Sequence, residues 1–172
     1  SALAAAPILP NKLFAQTPAG QKVHGLSAFG ELKYPSGFTH FDWVNPDAPK
    51  GGRMNFSVPN WLYNQSPLTF NTLNAFVLKG EAPPRTELCF DSLMVRSWDE
   101  PDACYGLVAD GVTISGDRNS FTFSLRAEAR WHDGTPLTAQ DVAFSYMLLK
   151  EKGHPDFALP LVELKEAVAV EP

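Results

Sequence analysis

Residues 120–150, SFTFSLRAEARWHDGTPLTAQDVAFSYMLLK, constrain the fold more than any other stretch, because they spell a strand, a tight turn and a capped helix in succession. Phe121, Phe123 and Leu125 alternate with Thr122, Ser124 and Arg126, so a strand here is expected to turn one face to a core and one to solvent. Asp133-Gly134 supplies the turn, since glycine reaches positive φ without a Cβ clash. Thr138 followed by Asp141 is a capping-box start in which Asp replaces the usual Glu or Gln. Val142, Tyr146 and Leu149 then share a helical face, with Ala143 and Met147 beside them, and Gly153 stands where the helix should end.

A chain of 172 residues suits one domain and is marginal for two. Its 44% hydrophobic and 19% charged residues are those of an ordinary globular protein. A net charge of −5 argues against nucleic acid, which selects basic patches, and gives no support to docking on an anionic membrane. Cys89 and Cys104 leave two readings open, a disulfide in an oxidising compartment or two buried thiols. A zinc site lacks the further ligands that would complete a tetrahedral set.

The first residues, SALAAAPILPNKLFAQ, read as the tail of an export signal occupying 1–15, with Leu13-Phe14-Ala15 before a cleavage at Gln16. Pro7 and Pro10 argue against a first buried segment there. No stretch reaches the ~18 apolar residues that a bilayer span needs. Export to the periplasm without a membrane anchor is the expectation. At the other end, Val162 to Pro172 reads as the start of a strand pair, so residues 16–172 are expected to be an N-terminal portion of a longer protein, incomplete at the C-terminus.

Between these ends, His24 to Asn45 has no sustained period and reads as an extended, packed arm. A turn is expected at Pro46–Gly52, a strand at Arg53–Val58, and either helix or strand at Leu88–Val95. Asp99-Glu100-Pro101 marks a turn, Val112-Thr113-Ile114 a short strand, and Gly116-Asp117 the turn into the strand that opens at Phe121. Short strands with one or two helices predict an α+β fold.

Little here suggests chemistry. His132-Asp133 leads into the Gly134 turn, and Asp99-Glu100 sits in a proline turn, so both pairs read as turn residues before they read as acid and base. His24, His40, His132 and His154 are scattered without metal-ligand spacing. Neither a nucleophile elbow nor a phosphate-binding loop occurs.

The string F-T-F-x-L-R-x-x-A-R-W-x-D-G-x-P-L-T-A-x-D-V-x-F-S resembles the signature of the family 5 extracellular solute-binding proteins, the peptide and nickel receptors of ABC importers. HGLSAFGELKYPSGFTHFDWVNPDAPKGG, FNTLNAF and LCFDSLMVRSWDEPDACYGLVAD extend the resemblance to the Yej-type branch, covering nearly everything from His24 to Glu171. Two departures, Asn71-Thr72 where Asp-Ser is usual and Ala75 for a proline, fall in the loop nearest the implied ligand. The resemblance implies part of the N-terminal lobe of a bilobed periplasmic binding protein (type II, cluster C-like), with a mixed sheet and flanking helices. It implies a monomer when full length, an oligopeptide or peptide-like ligand, and an inner-membrane permease as partner, with no enzymatic activity and no cofactor; the nickel and haem ligand roles known among relatives find no support in the scattered histidines. Its ligand loop corresponds to Phe76, Val77, Leu78, Lys79, Gly80 and Glu81, and its cleft aromatic to Phe157. A solvated loop and an ordinary core phenylalanine are the plainer alternatives. A periplasmic hydrolase and a sensory module that kept the fold are the competing functions.

Overall fold

The computed structural model describes residues 17–29, 31–55, 70–83 and 85–170. The expected signal remnant at 1–15 lies outside them. So does the second half of the strand expected at 53–58, and Arg53 to Asn55 are not in a strand. The chain divides into two compact units: residues up to Ala48 with Ser92–Arg126, and Pro49–Asp91 with the residues from Ala127 onward. The strand and helix that are adjacent in sequence at 120–150 are therefore shared between the two.

In the first unit, β1 (Lys22–Val23), β5 (Ala109–Ile114) and β6 (Phe121–Leu125) form one sheet in the order β1-β5-β6. The strands β2 (Gly25–Leu26), β4 (Cys104–Gly106) and β3 (Met94–Arg96) form another in the order β2-β4-β3. All of these pairings are antiparallel. In place of one mixed sheet, the described residues thus build two small antiparallel ones. Neighbours such as β5 and β6 are joined by a tight turn, whereas parallel pairing would need a long crossover. That turn forms at the expected Gly116-Asp117, where Ser115 N donates to the Ser120 carbonyl at 2.9 Å and Asp117 Oδ1 accepts from Asn119 N at 3.1 Å.

Ala103, Tyr105, Ala109 and Val112 have no exposed surface, and Tyr34, Leu93 and Ile114 are buried with them. The expected core face of β6 is not observed: Phe121 is 51% exposed and no β6 residue is buried, because β6 is the sheet edge and β5 takes the interior. The arm packs as predicted. Tyr34 meets Phe38, Phe41 and Tyr105 at ring distances of 5.1, 5.1 and 5.5 Å.

Carboxylates of the Asp99–Asp102 turn hold this arm in place. Asp102 Oδ2 accepts from Ser27 Oγ, Ala28 N and Phe29 N at 2.7, 2.7 and 2.8 Å. Glu100 accepts from Lys33 N at 2.9 Å and from the Tyr105 hydroxyl at 2.7 Å. Asp99 Oδ2 accepts from Lys33 Nζ at 2.5 Å and from the Tyr34 hydroxyl at 2.6 Å. The Lys33 ammonium, then Ser97 and Tyr34, hold the Asp99 carboxyl well below the usual carboxylate range. Burial, with the Glu100 carboxylate adding to it, pushes the Tyr105 phenol up to about 12.

The second unit is organised around α1 (Ala139–Lys152). Its capping box is the expected one: Thr138 Oγ1 accepts from Asp141 N at 3.2 Å, and Asp141 Oδ2 accepts from Thr138 N at 2.9 Å. Those bonds satisfy amides that the first helical turn leaves unpaired. Gly153 does end the helix, though in an extended conformation with φ −67°. Its N–H donates to the Leu149 carbonyl, which a Cβ at this position would strike. Val142, Tyr146 and Leu149 are only half-buried, while Phe144 and Leu148 are 66% and 44% exposed. A short helix α2 (Pro155–Ala158) follows, and Val162 onward forms no strand pair among the described residues.

The expected 88–95 element resolves into a 3-10 turn at Thr86–Cys89 and the strand β3, one in each unit. Cys89 is exposed and Cys104 half-buried, and both are free thiols. No described helix is long and apolar enough to cross a membrane.

Candidate functional site

Residues 71–81 form a loop closed by its own polar groups. Asn71 N and Thr72 N donate to the Glu81 carbonyl at 3.0 and 3.3 Å, and Glu81 N donates to Asn71 Oδ1 at 2.8 Å. Inside the loop, Thr72 Oγ1 accepts from Asn74 N, and Asn74 Oδ1 accepts from Phe76 N, each at 3.0 Å. Such side-chain turns are what Asn and Thr supply when the backbone has no ladder partner. A compact loop with its ends tied together is a common carrier of binding residues.

Gly80 has φ +93°, and a Cβ there would lie 2.8 Å from Thr72 Cγ2 and 3.0 Å from Asn71 Oδ1. The loop itself therefore requires glycine, both for its left-handed backbone and for room beside Thr72.

The loop is moored by aromatic contacts. The Phe76 ring meets Phe90 at 4.8 Å, nearly edge-on, and Phe157 at 5.4 Å. His154 N donates to the Phe76 carbonyl at 2.6 Å, which ties the loop to the start of α2. Phe90 continues to the His132 ring at 6.0 Å. The structure thus brings Phe76 and Phe157 together. Phe76, Val77 and Phe157 are half-buried, whereas Leu78 is 70% exposed and Lys79 and Gly80 lie open to solvent. Glu81 is half-buried where the loop closes.

Phe90, Asn71, Asn74 and His154 were not among the sequence-derived site residues. For Asn74 the T-L-N spacing was the available signal, since Thr and Asn side chains bond backbone two residues onward.

The candidate acid–base pairs are committed elsewhere. Asp133 Oδ1 accepts from Thr135 N at 3.0 Å and Thr135 Oγ1 at 2.7 Å, which makes it a turn residue, and those bonds keep its carboxyl below the ordinary range. Asp99 and Glu100 hold the arm. A carboxyl that stays ionised through such bonds is a poor proton donor near neutral pH.

Residues 103–172 match the model of the bacterial extracellular solute-binding proteins, family 5. The chain belongs to this family. It is 42% identical over 83% of its length to the peptidoglycan-binding protein YepA of Agrobacterium fabrum, covering 23% of that protein. It is 44% identical over 74% of its length to the probable peptide-binding protein YejA of the same organism, covering 19% of it. With YejA of Escherichia coli it shares 35% identity over 84% of its length and 22% of the relative's. The chain thus spans about a fifth of the length of these relatives.

Proposed function

We propose that the protein is the periplasmic receptor of an ABC importer, which captures oligopeptides or peptide-like compounds by enclosure and delivers them unchanged to an inner-membrane permease. In a receptor of this kind affinity comes from burying the ligand, and closure around it reports occupancy. The observation that carries this reading is the tied and moored loop 71–81, whose tip is held open to solvent in a chain of the solute-binding family. Val77, Leu78, Lys79, Gly80 and Glu81 meet the ligand, and Phe76 with Phe157 forms the aromatic support behind them. Lys79 and Glu81 offer opposite charges to peptide termini or polar side chains, while Leu78 offers apolar surface. The peptide-binding name carried by a relative at 44% identity supports a peptide ligand. The commitment of Asp99, Glu100 and Asp133 to structural hydrogen bonds favours binding over hydrolysis.

The full-length protein should gain thermal stability with a mixture of short peptides, because a ligand selective for the native state stabilises it. Replacing Leu78 and Lys79 by alanine should reduce that gain without lowering the ligand-free midpoint. A shift produced by another solute class, with none from any peptide, rejects the peptide assignment.

A further inference from the structure

An aromatic series in the first unit runs from the core to water. Tyr105, fully buried, meets the Phe41 ring at 5.7 Å, and Phe41 stacks on Trp43 at 5.1 Å with planes 9° apart. Trp43 in turn leans on Trp98 at 5.8 Å and 41°. Trp43 is 47% exposed and Trp98 is 85% exposed. Burying a large apolar side chain contributes ~1.5–3 kcal/mol, so an indole as exposed as Trp98 adds little to the fold.

The backbone leading into Trp98 is nevertheless fixed. The preceding Ser97 is buried, its N–H donates to the Ala103 carbonyl at 2.9 Å, and its hydroxyl donates to Asp99 Oδ1 at 2.5 Å. Beside Trp98 an open depression of about 310 Å³ is edged by Arg96 and Glu100. Arg96 uses one N–H on the Pro101 carbonyl at 2.5 Å, out of the five donors a guanidinium carries. Glu100 accepts one bond on each oxygen, which leaves half of the ~4 lone-pair sites of a carboxylate.

We infer that this surface binds a neutral sugar ring. The exposed Trp98 indole stacks against the C–H face of the ring, Arg96 donates to its hydroxyls, and Glu100 accepts from them. Shape and charge select that ligand. A fully apolar molecule would need ~70–90% of its surface enclosed, which an open depression cannot provide, and the volume sits at the lower end of the ~300–1,000 Å³ typical of ligand sites. One ring fits. An anionic ligand would meet the Glu100 carboxylate. The two indoles touch each other and leave no space between them for an alkylammonium ion, as an aromatic cage would. A stacking ring needs only one face. The assignment goes beyond peptide capture and does not depend on it.

The intact protein is titrated with chitotriose, cellotriose and maltotriose, followed by tryptophan fluorescence and calorimetry. At least one sugar should bind saturably, with Kd of about 1 mM or tighter. Trp98→Ala should weaken that binding by roughly tenfold or more, as truncation of an aromatic anchor does, and Trp98→Phe should retain part of it. The Trp98→Ala thermal midpoint should match wild type, so lost binding cannot be ascribed to unfolding. Peptide-dependent stabilisation should persist in the same variant, which keeps this result separate from the peptide reading. Absence of sugar binding by wild type, or equal binding by Trp98→Ala, overturns the inference. Trp98-dependent self-association in sedimentation, without sugar binding, overturns it too and assigns the surface to a second copy.

Discussion

The two units are stabilised in different ways. Every buried side chain among the described residues lies in the first unit, where Tyr105 and Val112 are fully enclosed and carboxylates bond an arm from the far end of the sequence. The second unit buries no described side chain and keeps its form through a capping box, a tied loop and aromatic pairs at its surface. Hydrophobic burial fixes the first. Local hydrogen bonds and ring contacts fix the second, and they leave Leu78 and Lys79 exposed. Packing therefore sets the tolerance to substitution in the first unit, and short-range hydrogen bonding sets it in the second.

The largest expected effect comes from Tyr105→Ala, which removes a fully buried ring and should cost about 3–5 kcal/mol in urea unfolding. Its counterpart Phe144→Ala, on the exposed side of α1, should stay within about 0.5 kcal/mol. Equal costs for the two would erase the distinction between the units.

Acid should act next, and on the first unit. Asp99 is held below its ordinary value of 3.8 by Lys33, Ser97 and Tyr34, and Asp102 by Ser27 and the Phe29 and Ala28 amides. The native state therefore binds fewer protons than the unfolded one in this range. The stabilisation is complete above 3.8 and is lost as pH falls through the native values. Urea midpoints measured from neutrality downward should drop on that limb, and Asp99→Asn or Asp102→Asn should flatten it.

Thr138→Ala should cost about 1 kcal/mol by removing the cap of α1, with faster amide exchange confined to the first helical turn. Smallest is Asn71→Ala, for which we expect faster exchange at the Glu81 amide and no change in the global midpoint. A global loss there would mean that the loop contributes to the fold as a whole.

What could be read from the sequence divides by the range of the contacts rather than by unit. The Thr138–Asp141 box, the Asp133-Gly134 turn and the Gly116-Asp117 turn are local, so a few neighbouring residues suffice to specify them. Asp99 reads only as a member of a proline turn and Asp102 carries no signal, because their partners on the arm lie 65 to 75 positions away and leave no local pattern. The alternation of β6 was real, but a period of two cannot say whether a strand is central or at an edge. In the site, Phe76 and Phe157 came from family resemblance, whereas the mooring by Phe90 and His154 depends on contacts between distant segments.

The Asp102 latch also bears on the order of events during synthesis. Ala28 leaves the ribosome 74 residues before the carboxylate that fastens it. At ~5–20 residues per second, the arm waits several seconds with its aromatic side chains uncovered. Contacts of such long separation are slow to close, so docking of the arm should follow the local turns and α1. A chaperone that recognises unfolded aromatic segments would find its target in that interval.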